Sequence, residues 1–383
     1  MKKIITVLVL IMMVFTLAGC GSKKEEAPTE TAEAKSFVLR GSGPLTGGAA
    51  LYGTAVQRGA QIAVDEINAK EGYAFFDYKL EDDAHDPETA VNAFYKMMDD
   101  GMQISLLCVT SAPAANVAPL VQDEDIFAIT PSGSRDDVPA VGDDIFQMCF
   151  KDSNQGKASA QYIAEKFGTD VKVGVIYQSS VDYSKGIYNT FAAEAKNLGL
   201  NVVAEASFTD EQDYGVQIGK VKEADAEIVF LPIYYDEASL ILTQAGDYKP
   251  VWFGVDGMDG ILGKEGFDPA LAEGTYLLTP FDATSTEAKS KAFTDAYVTK
   301  YGETPMQFAA DAYDAVYAIY QACKDGNASA DMTNSEISAI LRAQFNSMTF
   351  DGVTGKGTWD ANGEISKSPM CVVIKDGAYA TID

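Results

Sequence analysis

The single histidine of this 383-residue chain, His85, lies in the stretch YKLEDDAHDPETA, among Glu81, Asp82, Asp83, Asp86 and Glu88. An imidazole in that setting raises three chemistries: a general base, a metal ligand, or neither. Hydrolysis of the Ser-His-Asp kind needs a serine held beside the base, and no G-x-S-x-G elbow occurs anywhere in the chain. One histidine and scattered cysteines cannot supply the clustered ligands of zinc. Asp82, Asp83 and Asp86 offer oxygens to calcium, but the D-x-D-x-D-G loop with its glutamate at position twelve is absent. The stretch reads instead as a strand running into an acidic turn. Pro87 opens the next helix, and the carboxylates form a mostly solvated rim.

RGSGPLTGG supplies G-x-G from Gly41 and Gly43, but Pro44 and Thr46 break the dinucleotide fingerprint, and no Walker loop is present. No cofactor and no metal are therefore expected. What remains is a set of small, polar and aromatic residues at the carboxyl ends of strands, where open α/β folds bind ligands. These are GGAALYG, CVTSAPA and ITPSGS in one half, SVDYSKG, PIYYDEA and GVDGMDG in the other. Helix N-termini with Ser and Thr hydroxyls favour a carboxylate; Asp256 and tyrosine faces favour an ammonium. The set suits a zwitterion. Each member has a plainer role open to it: Thr110, Ser111 and Asp256 as helix caps, Tyr234 as packing under a helix, and Arg135, Lys185 and Asp236 as solvated rim.

The elements that must position these residues follow from periodicity. From Ser36 onward short apolar runs alternate with helical patterns, the signature of βαβ units around parallel sheets. Ala60, Ala63, Val64 and Ile67 make one apolar stripe, and Ala160, Ile163, Ala164 and Phe167 another. Strand signals at SFVLR, FFDYKLED, QISLLC and IFAIT form a first series. A second, from about Lys151, contains VKVGVIY, NVVAEASF, AEIVFLPIY and PVWFG. Helices are predicted over about 286–301, 306–323 and 334–345, followed by a Gly-punctuated β region.

Ahead of these elements, Met1, Lys2 and Lys3 precede an apolar run to Phe15, an export signal too short to span a membrane comfortably. It ends in Leu17-Ala18-Gly19-Cys20, which resembles the lipobox of bacterial lipoproteins and makes Cys20 the expected lipidated N-terminus. The polar stretch 20–35 reads as a flexible tether. Removing residues 1–19, which carry two lysines, moves the formal charge from −27 to −29. That acidity argues against nucleic acid as a partner. Cys108, Cys149, Cys323 and Cys371 lie in apolar sequence without C-x-x-C spacing, so buried thiols are expected and one disulfide is allowed by export.

GSGPLTGGAALYGTAVQRGAQIAVDEINA, LEDDAHDPETAV, SAPAANVAPLVQDEDIFAITPSGS, DSNQGKASAQYI, DYSKG and FDGVTGKGTWDANGE occur in this order. Together the chain resembles the periplasmic binding proteins for branched-chain amino acids, over essentially all of 36–383. That resemblance implies a type I periplasmic-binding-protein fold: two Rossmann-like α/β lobes with parallel-sheet cores, joined by three crossovers and closing on a ligand by a hinge. The implied lobes are 36–151 with 281–348, and 152–280 with 349–383, with crossovers near Lys151, Pro280 and Thr349. It implies a carboxylate-holding set of Thr110, Ser111, Ser132 and Ser134, an ammonium-holding Asp256, and aromatic cleft residues Tyr52, Tyr183, Tyr234 and Phe308. In leucine-type relatives the position of His85 is a cysteine bridged to the one matching Cys108. Here that bridge cannot form, and His85, Cys108 and Gly133 become the expected pocket wall, roomier and more polar with Ser132 and Gly133 after ITP. The implied function is a monomeric lipoprotein receptor that hands a small amino acid to an ABC permease with its ATPase subunits, without catalysis. A sensory receptor for amides or other polar solutes, and a hydrolase, are the rival readings.

Overall fold

The computed structural model describes residues 34–367 and 369–382; the export signal, Cys20 and nearly all of the tether lie outside them. In the first series β1 (Phe37–Gly43), α1 (Ala50–Glu71), β2 (Phe76–Asp82), α2 (Pro87–Asp99), β3 (Ile104–Leu106), α3 (Ser111–Asp123), β4 (Phe127–Thr130) and β5 (Ile145–Gln147) follow one another. The strands form one parallel sheet, in the order β2-β1-β3-β4-β5. Its central strands β3 and β4 are buried at every residue, which is why they read as unbroken apolar runs rather than as alternation. The predicted stripe of α1 is buried throughout, and full burial of one such Ile or Val contributes about 1.5–3 kcal/mol.

The second series runs α4 (Asp152–Phe167), β6 (Val173–Gln178), α5 (Asp182–Leu198), β7 (Val202–Phe208), α6 (Gly215–Glu223), β8 (Ile228–Leu231), α7 (Tyr235–Gln244), β9 (Val251–Gly254) and β10 (Tyr276–Thr279). Three helices come next, α8 (Ala288–Tyr301), α9 (Gln307–Gly326) and α10 (Asn334–Phe345), within two residues of the predicted starts. Last are β11 (Thr349–Gly352), β12 (Gly355–Thr358), β13 (Met370–Lys375) and β14 (Ala378–Thr381). The second sheet has the order β14-β13-β10-β9-β8-β6-β7, and it is mixed rather than all parallel. β13 runs antiparallel to β10 and β14 antiparallel to β13, through a tight turn in which Asp376 and Gly377 both have positive φ.

Among the described residues β11 and β12 pair only with each other. Val353 and Thr354, between them, donate backbone N–H bonds to Asp314 on α9, and Trp359 Nε1 donates to the Gln147 carbonyl at the end of β5. The chain therefore packs on the first sheet's helices after Thr349 and enters the second sheet only at Met370. Cys108, Cys149, Cys323 and Cys371 are all free thiols. Burial pushes each of them up from the ordinary thiol range.

Candidate functional site

Two loops leaving parallel strands and two helix N-termini build one side of the site. After β2, Ala84 and His85 both take positive φ, at 51° and 61°. Two consecutive non-glycine residues in that region cost about 1–2 kcal/mol each. Two of the carboxylates expected to be solvated, Asp82 and Asp83, hold this turn together instead, which corrects the expectation for them. Asp82 Oδ1 accepts from the backbone N–H of Leu45 and Ala84, and Asp82 Oδ2 from the Thr46 hydroxyl. Asp83 is fully buried, accepts from His85 N at 3.0 Å, and accepts from the Ser42 hydroxyl at 3.0 Å. Burial raises its pKa to about 6. Cys108 Sγ lies 3.2 Å from the same Ser42 hydroxyl, so the thiol expected at the pocket wall joins this buried chain. Asp86 caps α2 through Thr89 N with Pro87 next to it, Glu88 is exposed and Glu81 pairs with Lys96, so these three keep the surface role.

His85, half-buried, places Nδ1 2.9 Å from Thr110 Oγ1. Thr110 is the N-cap residue of α3, but its side chain makes no capping bond, so the plain capping role is not the one it plays. The first turn of α3 also lacks acidic residues, which leaves its N–H groups to an external anion. Ser111 Oγ lies 3.4 Å from Ser134 Oγ. The Ser132 hydroxyl donates to the Val109 carbonyl at 2.6 Å, and Gly133 is obligatory because a Cβ there would stand 2.8 Å from Thr130 Oγ1 and 2.9 Å from the Ala114 methyl.

On the other side, Tyr183 opens α5, Tyr234 precedes α7, and Asp256 follows β9. The rings of Tyr183 and Tyr234 stack at 4.6 Å and 16°. The Tyr183 hydroxyl donates to Asp256 Oδ1 at 2.5 Å and accepts from Gly257 N at 2.9 Å. A Cβ at Gly257 would fall 2.5 Å from that hydroxyl. Burial raises Asp256 to about 6, against the lowering by its bond from Tyr183. Asp256 does not hold the cap position: it is the first residue of a short 3₁₀ turn whose N-cap is Val255. Tyr235 lies in the apolar cluster beneath α7, and half-buried Tyr234 packs against that cluster as well as facing the site.

The two sides touch. The Tyr52 hydroxyl, from α1, donates to the Gly257 carbonyl and accepts from Tyr235 N. Its ring packs 4.4 Å from Phe308 and 5.7 Å from Tyr234. The His85 ring meets the Tyr234 ring edge-on at 5.5 Å. Thr110, His85, Tyr234, Tyr183 and Asp256 thus form one chain of contacts across the molecule, with Tyr52 and Phe308 beside it.

The sequence reading passed over two residues on the first turns of α4. Asp152 and Gln155 are 2% and 0% exposed, yet Asp152 Oδ1 and Gln155 Nε2 have no hydrogen-bond partner among the described residues. Gln155 Oε1 accepts from Asp256 N, and Asp152 N donates to the Ser134 carbonyl, so the pair joins the two ends of the site. Burial holds the Asp152 carboxyl well above its ordinary range, relieved in part by Ser134 and reinforced by Asp256. Their signal was present in KDSNQG: Asp152, Gln155 and Ser159 occupy the buried stripe that Ala160 and Ile163 continue, and polar residues on a core-facing stripe require a partner. Of the rim residues, Arg135 pairs with Asp137 and Asp182, Asp236 pairs with Lys264, and Lys185 is exposed.

Known proteins resemble this chain in sequence and in fold. The chain is 29% identical over 346 residues to Leu/Ile/Val-binding protein homolog 3 of Brucella melitensis, covering 87% of this chain and 89% of the relative. It is 28% identical to the leucine-, isoleucine-, valine-, threonine- and alanine-binding protein of Pseudomonas aeruginosa, over 86% and 87%. Among solved structures, the branched-chain amino acid transporter substrate-binding protein LivJ of Streptococcus pneumoniae, in complex with isoleucine, superimposes with a TM-score of 0.82 at 28% identity, covering 91% of this chain and 98% of that one. The leucine-binding protein LivK of Thermotoga maritima gives 0.81 at 25%, over 91% and 98%. Residues 41–378 match the periplasmic binding protein family, so the chain, with its two α/β sheets and the polar site between their strand ends, belongs to that family.

Proposed function

We propose that this protein is the extracytoplasmic receptor of an ABC importer and captures a small α-amino acid, branched-chain or related, between its two lobes. One observation carries the reading. Two buried polar atoms without partners, Asp152 Oδ1 and Gln155 Nε2, lie in the same connected set as Asp256 and as the uncapped first turn of α3. Asp256 and Asp152, with the Tyr183 and Tyr234 rings, supply what an ammonium needs. Thr110, Ser111, Ser134 and the α3 N–H groups supply what a carboxylate needs. The binding of Leu, Ile and Val named for the curated relatives, and the isoleucine complex of LivJ, agree with that pairing.

The mechanism is differential binding to the closed form. A ligand that touches both lobes adds its interaction energy only when they are together, and so shifts the population toward closure. Contacts such as Tyr52 to Gly257 are those that closure completes. No bond of the ligand is made or broken. Lobe 1 comprises 36–151 and 281–348 and lobe 2 comprises 152–280 and the C-terminal strands, with hinges near Lys151 and Pro280. The third hinge belongs just before Met370 rather than at Thr349, because 349–364 packs on α9 and β5. A lipid on Cys20 and the tether beyond it keep this monomeric receptor at the outer face of the cytoplasmic membrane, within reach of its permease and ATPase subunits.

A thermal-unfolding panel tests the ligand class, since a ligand that binds only the folded state raises the melting point. Leucine, isoleucine, valine, alanine and threonine are each compared with small amides, benzoate and sugars. A shift confined to amino acids supports the reading. A shift from amides or sugars alone overturns it.

A further inference from the structure

We propose that His85 is a positioning residue: its Nδ1 fixes the Thr110 hydroxyl in the direction a bound carboxylate requires, and its ring edge on Tyr234 ties that grip to closure of the lobes. The inference rests on Thr110 belonging to the carboxylate end of the site. The geometry comes first. His85 Nδ1 and Thr110 Oγ1 are 2.9 Å apart, and the ring meets Tyr234 at 5.5 Å and 83°. Thr110 is on one side of the cleft and Tyr234 on the other, so His85 touches both only in the closed arrangement.

A threonine hydroxyl has one proton. If Thr110 gave it to His85 it would have none for a carboxylate. The Nδ1–H tautomer removes that conflict: the imidazole donates to Thr110 Oγ1, and the Thr110 proton stays free for the ligand. A neutral ring is what the surroundings favour, since burial lowers the His85 pKa. The molecule also keeps His85 in place at a cost. Its backbone sits at φ 61° directly after Ala84 at 51°, and the buried Asp83 carboxylate, itself tied to Ser42, accepts the His85 N–H. Strain of this kind persists where surrounding groups over-determine it.

The test uses the full-length protein and isoleucine, with affinity from titration calorimetry. His85→Phe retains a ring against Tyr234 and deletes the nitrogen; His85→Asn retains a polar partner for Thr110 and tolerates positive φ; Thr110→Val deletes the hydroxyl. His85→Phe and Thr110→Val are each expected to weaken binding about tenfold, and the double variant no further, because they remove the same interaction. His85→Asn is expected to stay within about threefold of the wild type. Ligand-free melting curves report folding, and if His85→Phe does not fold, His85→Leu with Thr110→Val completes the cycle. Additive losses, or His85→Phe with unchanged affinity, overturn the assignment. If wild-type protein binds no amino acid at all, the proposed function fails instead, and the assignment with it.

Discussion

The Tyr183 hydroxyl donates to Asp256 at 2.5 Å, in a site where burial has raised that carboxyl to about 6. An ammonium is held by the ionised form. At neutral pH Asp256 is ionised and binding takes up no proton; below about 6 a proton must leave before the ligand enters. Affinity for an amino acid is therefore flat above about pH 7 and falls by up to about tenfold per unit below about 6. Tyr183→Phe removes a bond that stabilises the carboxylate, which moves the fall to higher pH. Calorimetric titrations from about pH 5 to 8 check this. Constant affinity across that range removes Asp256 from the ammonium end.

The same burial acts on the unliganded protein with a sign opposite to ordinary acid denaturation. Asp83 and Asp256 are raised to about 6 and Asp311 to about 8, each chiefly by desolvation. A carboxyl whose folded pKa lies above its unfolded value binds its proton more tightly when folded. Its contribution is complete below the unfolded value and is lost as pH rises through the folded one. Across that window, from about 4 to 8, ligand-free stability declines, and the acidic surplus of the chain adds self-repulsion in the same direction. The melting temperature of the ligand-free protein is thus higher near pH 5.5 than near pH 8, by about a few degrees. An equal or higher value at pH 8 contradicts the assignment of these groups.

What the sequence revealed, and what it hid, divides along physical lines. The βαβ alternation and the stripe through Ala60, Ala63, Val64 and Ile67 were legible because backbone geometry imposes a period on buried residues. Tyr52, Tyr183, Tyr234, Asp256 and His85 were legible as candidates because strand ends gather loops at one edge. The fate of Asp83 was not, since nothing local to an acidic turn shows that one carboxylate turns inward to Ser42, forty-one residues away. The antiparallel β13 and β14 and the attachment of β11 and β12 to α9 were hidden as well. A short strand carries no record of which sheet it joins.

Lys367 and Asp311 form a buried pair, 3.4 Å apart with side chains 1% and 2% exposed, where the C-terminal segment lies against α9. The Lys367 ammonium also donates to the Thr354 hydroxyl, which itself donates to Asp314. Removing one member of such a pair leaves the other unpaired in the interior and costs about 3–5 kcal/mol. Asp311 softens the loss, because its carboxyl, raised to about 8 even beside the ammonium, is largely protonated at neutral pH and leaves little unpaired charge. Lys367→Met is expected to cost about 2–3 kcal/mol at neutral pH, with a larger deficit at higher pH. Lys367→Met with Asp311→Leu recovers most of it. Urea titrations of the three proteins decide the matter, and a double variant no better than the single one shows that packing rather than charge holds this joint.

Arg135 reaches across the mouth of the site, with Nη1 3.0 Å from Asp182 at the start of α5, while a second arm grips Asp137 beside it. Asp182 is 68% exposed, so water screens most of the attraction and the entropy of ordering two side chains offsets part of the rest. The pair can bias closure only weakly, and through dissociation rather than encounter, since it forms after the lobes meet. Arg135→Ala is expected to speed ligand release by no more than about fivefold at low salt. Near 1 M salt, where the screening length falls to about 3 Å, the variant and the wild type should release ligand at the same rate. Stopped-flow dissociation at two salt concentrations measures both. A loss greater than about tenfold that survives high salt places Arg135 in direct contact with the ligand.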